Sequence, residues 1–276
     1  MATKSLLLGT IFDLTAFQKQ TKSLQFDGTF DMRTPVLNFD VVGLTDKISW
    51  SIWAKNEKPV AAGETGLFTI TDGTGLRPNV FDFKAQSNSD DNMVVGALSS
   101  SSSWVQGATW NSVILGNTDT WVHYVLTFGG AAGDTPNGMQ LYTQGVSRNP
   151  ADLHSPDSAG TFTDTSRGIQ VGHVASSGRL WQGPIYSVAI YDIILTQANI
   201  TAMYNSGNAV DMNLQSDSGN YTASANLVHY FRLGLGSNEA DFGKDRVVGG
   251  SDLSLLHLTG SAPDGTDLTT DVPDGT

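Results

Sequence analysis

The chain has 276 residues, 39% of them hydrophobic, which is enough for a buried core and too many for a disordered polymer. Only 15% are charged, and a net charge of −12 with no cluster of Lys and Arg excludes nucleic acid as the expected partner. Cysteine is absent, so disulfides and thiolate metal sites are excluded as well.

Residues 1–20 read as an N-terminal arm. The run Leu6-Leu7-Leu8 is interrupted by Gly9-Thr10 and is too short for the apolar centre of a signal peptide. No apolar stretch reaches membrane-spanning length, so the expectation is a soluble chain made in the cytoplasm, with no membrane partner. Residues 23–26 alternate and are followed by the turn pair Asp27-Gly28. The cleanest strand covers 47–54, with Ile48, Trp50, Ile52 and Ala54 on one face and Ser49, Ser51 and Trp53 on the other. Trp50 and Trp53 therefore face opposite ways, which suggests an interface for at least one of them.

Further strands are predicted at 67–71 and 80–85, on either side of the turn-rich Asp72-Gly73-Thr74-Gly75. The serine run 99–103 reads as a solvated loop. Residues 121–128 are apolar on both faces, which places them mid-sheet with cover on each side, and 139–144 return as the hairpin partner. Strands follow at 169–172 and 185–191. One helix is predicted at 196–206: Thr196 caps it, Ile200, Met203 and Tyr204 form its apolar stripe, and Gly207 ends it. Residues 227–233 and 253–258 read as added strands, and 261–276 as an Asp-, Gly- and Thr-rich tail without a core pattern. Many strands and a single late helix predict an all-β fold, with two-faced strands favouring a two-sheet sandwich over a barrel.

Several pieces, taken in order, carry a family resemblance. Residues 23–28 resemble the opening strand of laminin-G-like domains, and 48–54 the second. Trp121-Val122-His123-Tyr124, the strand that continues to Phe128, and Leu141-Tyr142-Thr143-Gln144-Gly145 resemble the central hairpin. Trp181-Gln182-Gly183 with 185–191 resembles the closing strands, and 195–207 the helix after them. Gln144 stands where the family usually has Asp, and Pro184 removes a backbone donor where the closing strand starts. The resemblance covers 21–207 and implies an antiparallel jelly-roll of the concanavalin A-like lectin-glucanase type. Residues 21–260 would form this sandwich, with 1–20 and 261–276 as extended arms. Asn226 to Gly234 resembles a continuation found in structural proteins of tailed, especially marine, phages.

The chemistry points away from catalysis. Glycosidases need two carboxyl groups flanking the scissile bond, and the three glutamates, Glu57, Glu64 and Glu239, are scattered. Neither a Gly-x-Ser-x-Gly elbow nor a phosphate-cradling loop is present. The five histidines lack metal-ligand spacing, and His123 reads as a hydrogen-bonded structural residue. Calcium is the cofactor the acidic loops could hold: the resemblance places one ion at the sandwich rim, with Asp72 and Asp134 as candidate ligands. Turn formation is the plainer role for both. Trp104, Trp110 and Trp181 are candidate sugar-stacking or interface aromatics, with core packing as the plainer role.

Two functional expectations follow. One is a non-catalytic virion structural protein, a capsid decoration, head fibre or tail component, whose partners are other virion proteins or copies of itself met through the arms. The other is a lectin-like module that binds host-surface glycans, with or without calcium.

Overall fold

The computed structural model describes residues 19–34, 37–38, 47–57, 65–71, 81–86, 92–98, 104–110, 120–129, 139–150, 152–154, 166–173, 180–236, 242–247, 252–257 and 266–275. Among these, the first strands are β1 (Ser23–Asp27), β2 (Phe30–Arg33), β3 (Leu37–Asn38), β4 (Ile48–Lys55), β5 (Thr65–Thr71) and β6 (Phe81–Gln86). Next come β7 (Asn92–Leu98), β8 (Trp104–Trp110), β9 (Trp121–Phe128), β10 (Met139–Thr143), β11 (Val146–Arg148) and β12 (Asp152–His154). The remaining strands are β13 (Ser166–Val171), β14 (Gln182–Tyr191), β15 (Leu227–Arg232), β16 (Ser254–His257) and β17 (Leu268–Thr269). One helix, α1 (Gln197–Tyr204), lies between β14 and β15.

The strands build two antiparallel sheets. The first runs β11-β10-β9-β4-β14-β1-β17, with β15 also paired to β14; the second runs β12-β8-β7-β6-β5-β13-β2-β16, with β3 paired to β13. The expected all-β sandwich is the fold that forms, with one short α-helix among the described elements. Its main core lies between the sheets. Ile48, Trp50, Ile52 and Ala54 of β4 meet Val122, Tyr124, Leu126 and Phe128 of β9 there, packed against Phe68 and Ile169 of the second sheet.

The first sheet is covered on its outer face too, so β4, β9 and β14 are buried on both sides. Val125, Ala189 and Tyr191 form a second core with Leu195, Ile200 and Met203 from α1 and its approach, and with Tyr221 and Tyr230. Burial of Ile200 and Met203 contributes about 2 kcal/mol each. That packing holds a helix of only eight residues, too short to stand alone. Thr196 is its N-cap and accepts from the Asn199 N–H, as the sequence predicts. The helix ends earlier than expected: Asn205, in the left-handed region at φ 45°, closes it, and Gly207 instead ends the 3₁₀ turn that follows.

Two details of β14 explain residues the sequence singles out. Its register with β4 shifts between Ile185 and Ser187, so Ile185 and Val188, three apart, both reach the inter-sheet core. Gly183 has φ 127°, and a Cβ there would lie 2.1 Å from the Lys55 carbonyl oxygen, so only glycine lets the two strands approach this closely.

The C-terminal residues depart from the expected arm. Leu268 packs on the inter-sheet core and β17 pairs with β1 at the edge of the first sheet. Val272 joins a third cluster with Trp53, Tyr186, Ala209 and Val210. Leu268, placed by strand pairing, and Val272, packed beyond the strand, seat a segment whose sequence has no periodic pattern. The other predicted arm, apart from Lys19 and Gln20, lies outside the described residues, as does the serine run 99–103. Among the described residues no helix is long and apolar enough to cross a membrane.

Candidate functional site

A cleft of about 570 Å³ opens on the outer face of the first sheet, within the size range of small-ligand sites. Its floor comes from adjacent strands. β4 and β9 pair in register Trp53↔His123 and Lys55↔Trp121, so alternation sends Trp53, His123 and Trp121 away from the inter-sheet core. Trp53 stacks on His123 with ring centroids 4.7 Å apart, and on Tyr204 at the end of α1 at 5.9 Å. Trp53 is buried beneath this stack, while Trp121 and Tyr204 are half-buried and line the opening.

The β10–β11 turn supports one wall. Gln144 and Gly145 both have positive φ, 54° and 75°, as a two-residue hairpin turn of the primed type requires. A Cβ on Gly145 would sit 3.2 Å from the Tyr204 ring, so glycine lets the turn pack on that aromatic. The Gln144 side chain, a lining residue, accepts from the His123 N–H at 3.1 Å and donates to the Trp121 carbonyl at 2.9 Å. It thus completes the β9 edge past the point where β10 stops. This accounts for an amide where the family usually has a carboxylate: Gln144 has a donor for the carbonyl as well as an acceptor for the N–H.

The opposite wall is the segment from Thr270 to Gly275. Asp271 fixes it: one carboxylate oxygen accepts from the Trp121 indole N–H at 2.6 Å, the other from the Lys55 ammonium at 2.5 Å. The Asp271 carbonyl accepts from the Ser23 hydroxyl at 2.6 Å. The Ala209 N–H donates to the Pro273 carbonyl at 2.8 Å, and Asn208 bridges to Asp274. The cleft therefore combines aromatic rings with hydroxyl, amide and carboxylate groups, with Asp271 and Asp274 the acidic residues among its described lining.

His123 lies under the floor. Its Nε2 is 2.8 Å from the Ser51 hydroxyl, and burial pushes its pKa down to about 3, so the ring is neutral at physiological pH. This agrees with the structural role expected from the sequence.

The predicted site residues fall elsewhere. Trp110 and Trp181 are fully buried in the inter-sheet core, the former donating to the Arg148 carbonyl at 3.0 Å, so neither offers a ring face to a sugar. Each is a core residue, which corrects their assignment as stacking platforms. Trp104 starts β8, and its side chain lies outside the described residues, as do Asp72 and Asp134. Among the described residues no group of three His, Asp or Glu is placed to hold a metal. Trp50 and Trp53 do face opposite ways, but both are covered within the chain, Trp50 between the sheets and Trp53 by Tyr204. The signal for Trp53 and Trp121 was present in the alternation of their strands; that for Asp271, 150 residues from its indole partner, was not.

No curated protein matches the sequence. Among solved structures, a candidate carbohydrate binding protein from Bacteroides ovatus superposes with a TM-score of 0.53 at 14% identity, over 88% of this chain and 61% of its own. A pentraxin from Limulus polyphemus gives 0.48 at 15% identity, over 69% of this chain and 85% of its own. The CBM40 of Ruminococcus gnavus IT-sialidase, bound to α2,3 sialyllactose, gives 0.47 at 11% identity, over 67% and 97%. At such identities the likeness concerns the fold. Residues 27–201 match the concanavalin A-like lectin/glucanases superfamily, and the chain belongs to it.

Proposed function

We propose that the chain is a non-catalytic carbohydrate-binding module that holds a saccharide in the cleft on the outer face of its first sheet. The observation that carries this reading is the pairing, in one open cavity, of half-buried Trp121 and Tyr204 with the polar groups of Gln144 and Asp271. Sugars present apolar C–H faces and a rim of hydroxyls, so rings and hydrogen-bonding groups side by side are the chemistry they need. Both Asp271 oxygens already accept bonds from the protein, which suits orientation better than acid–base work. Membership of the superfamily and the carbohydrate binding ascribed to the Bacteroides ovatus protein support the same reading. Titration of the chain with a glycan panel, followed by tryptophan emission, tests it. A saturable change that Trp121→Ala abolishes is expected, and a flat response across the panel overturns the proposal.

The resemblance of residues 226–234 to structural proteins of tailed phages favours a second reading, in which the module is a virion component. Those residues contain β15, paired to β14 beside the outer-face core. The two readings are compatible, since a module on a particle can contact glycans. Mass spectrometry of purified particles tests this one: many copies per particle are expected, and absence sinks it.

A further inference from the structure

On the carbohydrate reading above, we infer that Tyr204 is a specificity-determining residue of the cleft, its hydroxyl bonding a hydroxyl of the saccharide whose ring face lies on Trp121. The polar groups around it argue this. Both Asp271 oxygens are taken up by Trp121 and Lys55, and the Gln144 amide bonds the backbone of His123 and Trp121. The Trp121 indole commits its one N–H to Asp271, so what it offers a ligand is ring surface. Tyr204 differs. Elsewhere in the outer-face clusters, the Tyr186 hydroxyl bonds the Gln20 carbonyl at 3.2 Å, those of Tyr191 and Tyr221 bond each other at 3.2 Å, and Tyr221 also reaches the Leu214 carbonyl at 2.7 Å. Among the described residues, none bonds the hydroxyl of Tyr204, which is half-buried and lines the cleft.

This hydroxyl is also fixed in place. The Tyr204 ring stacks on Trp53 at 5.9 Å and lies against the Gly145 turn, so it is held before any ligand arrives. Directly after it, Asn205, Ser206 and Gly207 adopt left-handed backbone at φ 45°, 55° and 93°, a succession that is costly for residues other than glycine. The turn brings the chain to the far wall: a Cβ on Gly207 would lie 3.5 Å from the Gly275 Cα and 3.8 Å from the Tyr204 hydroxyl oxygen. A residue without a side chain therefore stands beside the hydroxyl, where a larger one would narrow the approach to it. Thr120, Ser206 and Thr270 bring further hydroxyls to the lining, but none is carried on a ring held in this way. A phenol both donates and accepts, which is the pairing a sugar hydroxyl needs.

Tyr204→Phe removes the hydroxyl alone and keeps the ring on Trp53. The test is a printed array of neutral di- to tetrasaccharides, probed with the full chain and with Tyr204→Phe. The tightest-bound member and its monodeoxy derivatives are then titrated calorimetrically against both proteins. Tyr204→Phe is expected to melt with the unaltered chain and to bind that member about five- to tenfold more weakly. One monodeoxy derivative should lose the same factor against the unaltered chain and nothing further against Tyr204→Phe. Equal affinity of the two proteins for every derivative overturns the role of Tyr204 and leaves the carbohydrate reading standing. Weaker binding by Tyr204→Phe with unchanged discrimination among the derivatives overturns the direct contact and makes Tyr204 a packing residue. An array on which nothing binds overturns both the inference and the reading beneath it.

Discussion

The indole N–H of Trp121 donates to the Asp271 carboxylate at 2.6 Å, joining a mid-chain strand to a segment 150 residues later. The same carboxylate receives Lys55 from the neighbouring strand, so one side chain ties the wall of the cleft to two strands of its floor.

Asp271→Ala breaks both bonds and leaves the largely buried Lys55 ammonium without this partner. A loss of about 1–3 kcal/mol is expected, together with faster amide exchange over residues 266–275 and at least tenfold weaker ligand binding. Hydrogen exchange and titration check the two effects separately.

The tryptophans should divide by position. Trp110→Ala and Trp181→Ala each empty a large volume in the inter-sheet core and are expected to cost about 3–5 kcal/mol. Trp121→Ala, half-buried on the outer face, should cost less than either while removing the ligand response. Urea melts and emission titrations of the three variants make the comparison.

Acid should weaken the fold through His123. Burial lowers its pKa to about 3 from the ordinary 6.5, so between these values the unfolded chain holds a proton that the folded one refuses. The stability this group supplies is complete above pH 6.5 and declines as pH falls toward 3, at roughly 1 kcal/mol per pH unit. His123→Asn should flatten this slope whatever it costs at neutral pH. Urea midpoints at several pH values give the difference, since the other histidines are common to both proteins.

Gly183→Ala should be damaging. The new Cβ would meet the Lys55 backbone at 2.1 Å, and backbone inside a paired sheet cannot step aside, so a loss above about 2 kcal/mol is expected. Gly219→Ala is the control: its φ of 57° is also left-handed but nothing lies within 4 Å, and about 1 kcal/mol is expected. Thermal melts separate close approach from backbone preference.

The sandwich was legible because its central strands carry their apolar residues in strict alternation on two faces. The doubly covered strand at 121–128 implied both the inter-sheet core and a further layer, and α1 announced itself through Thr196, Ile200 and Met203. Strands β7 and β8 were missed because Gly96 and Gly107 interrupt their alternation and a serine run divides them. The site was only half legible. Trp53 and Trp121 could be placed on the outer face by counting residues, but Trp110, a large aromatic near a polar loop, looked more accessible. Aromatic size says nothing about which sheet face is left open. Asp271 was hidden because its role rests on β17 pairing with β1, a contact with no local pattern.

That pairing also bears on the order of events during synthesis. The cleft draws its floor from residue 53 and its far wall from residue 275, so no shorter nascent chain contains it. Growth from the N-terminus lets the central strands and α1 assemble earlier, while the outer aromatics wait for the last wall. A ribosome-bound chain stalled before Asp271 would thus carry most of the fold yet no closed binding site, and recognition would begin only as residues 270–275 dock.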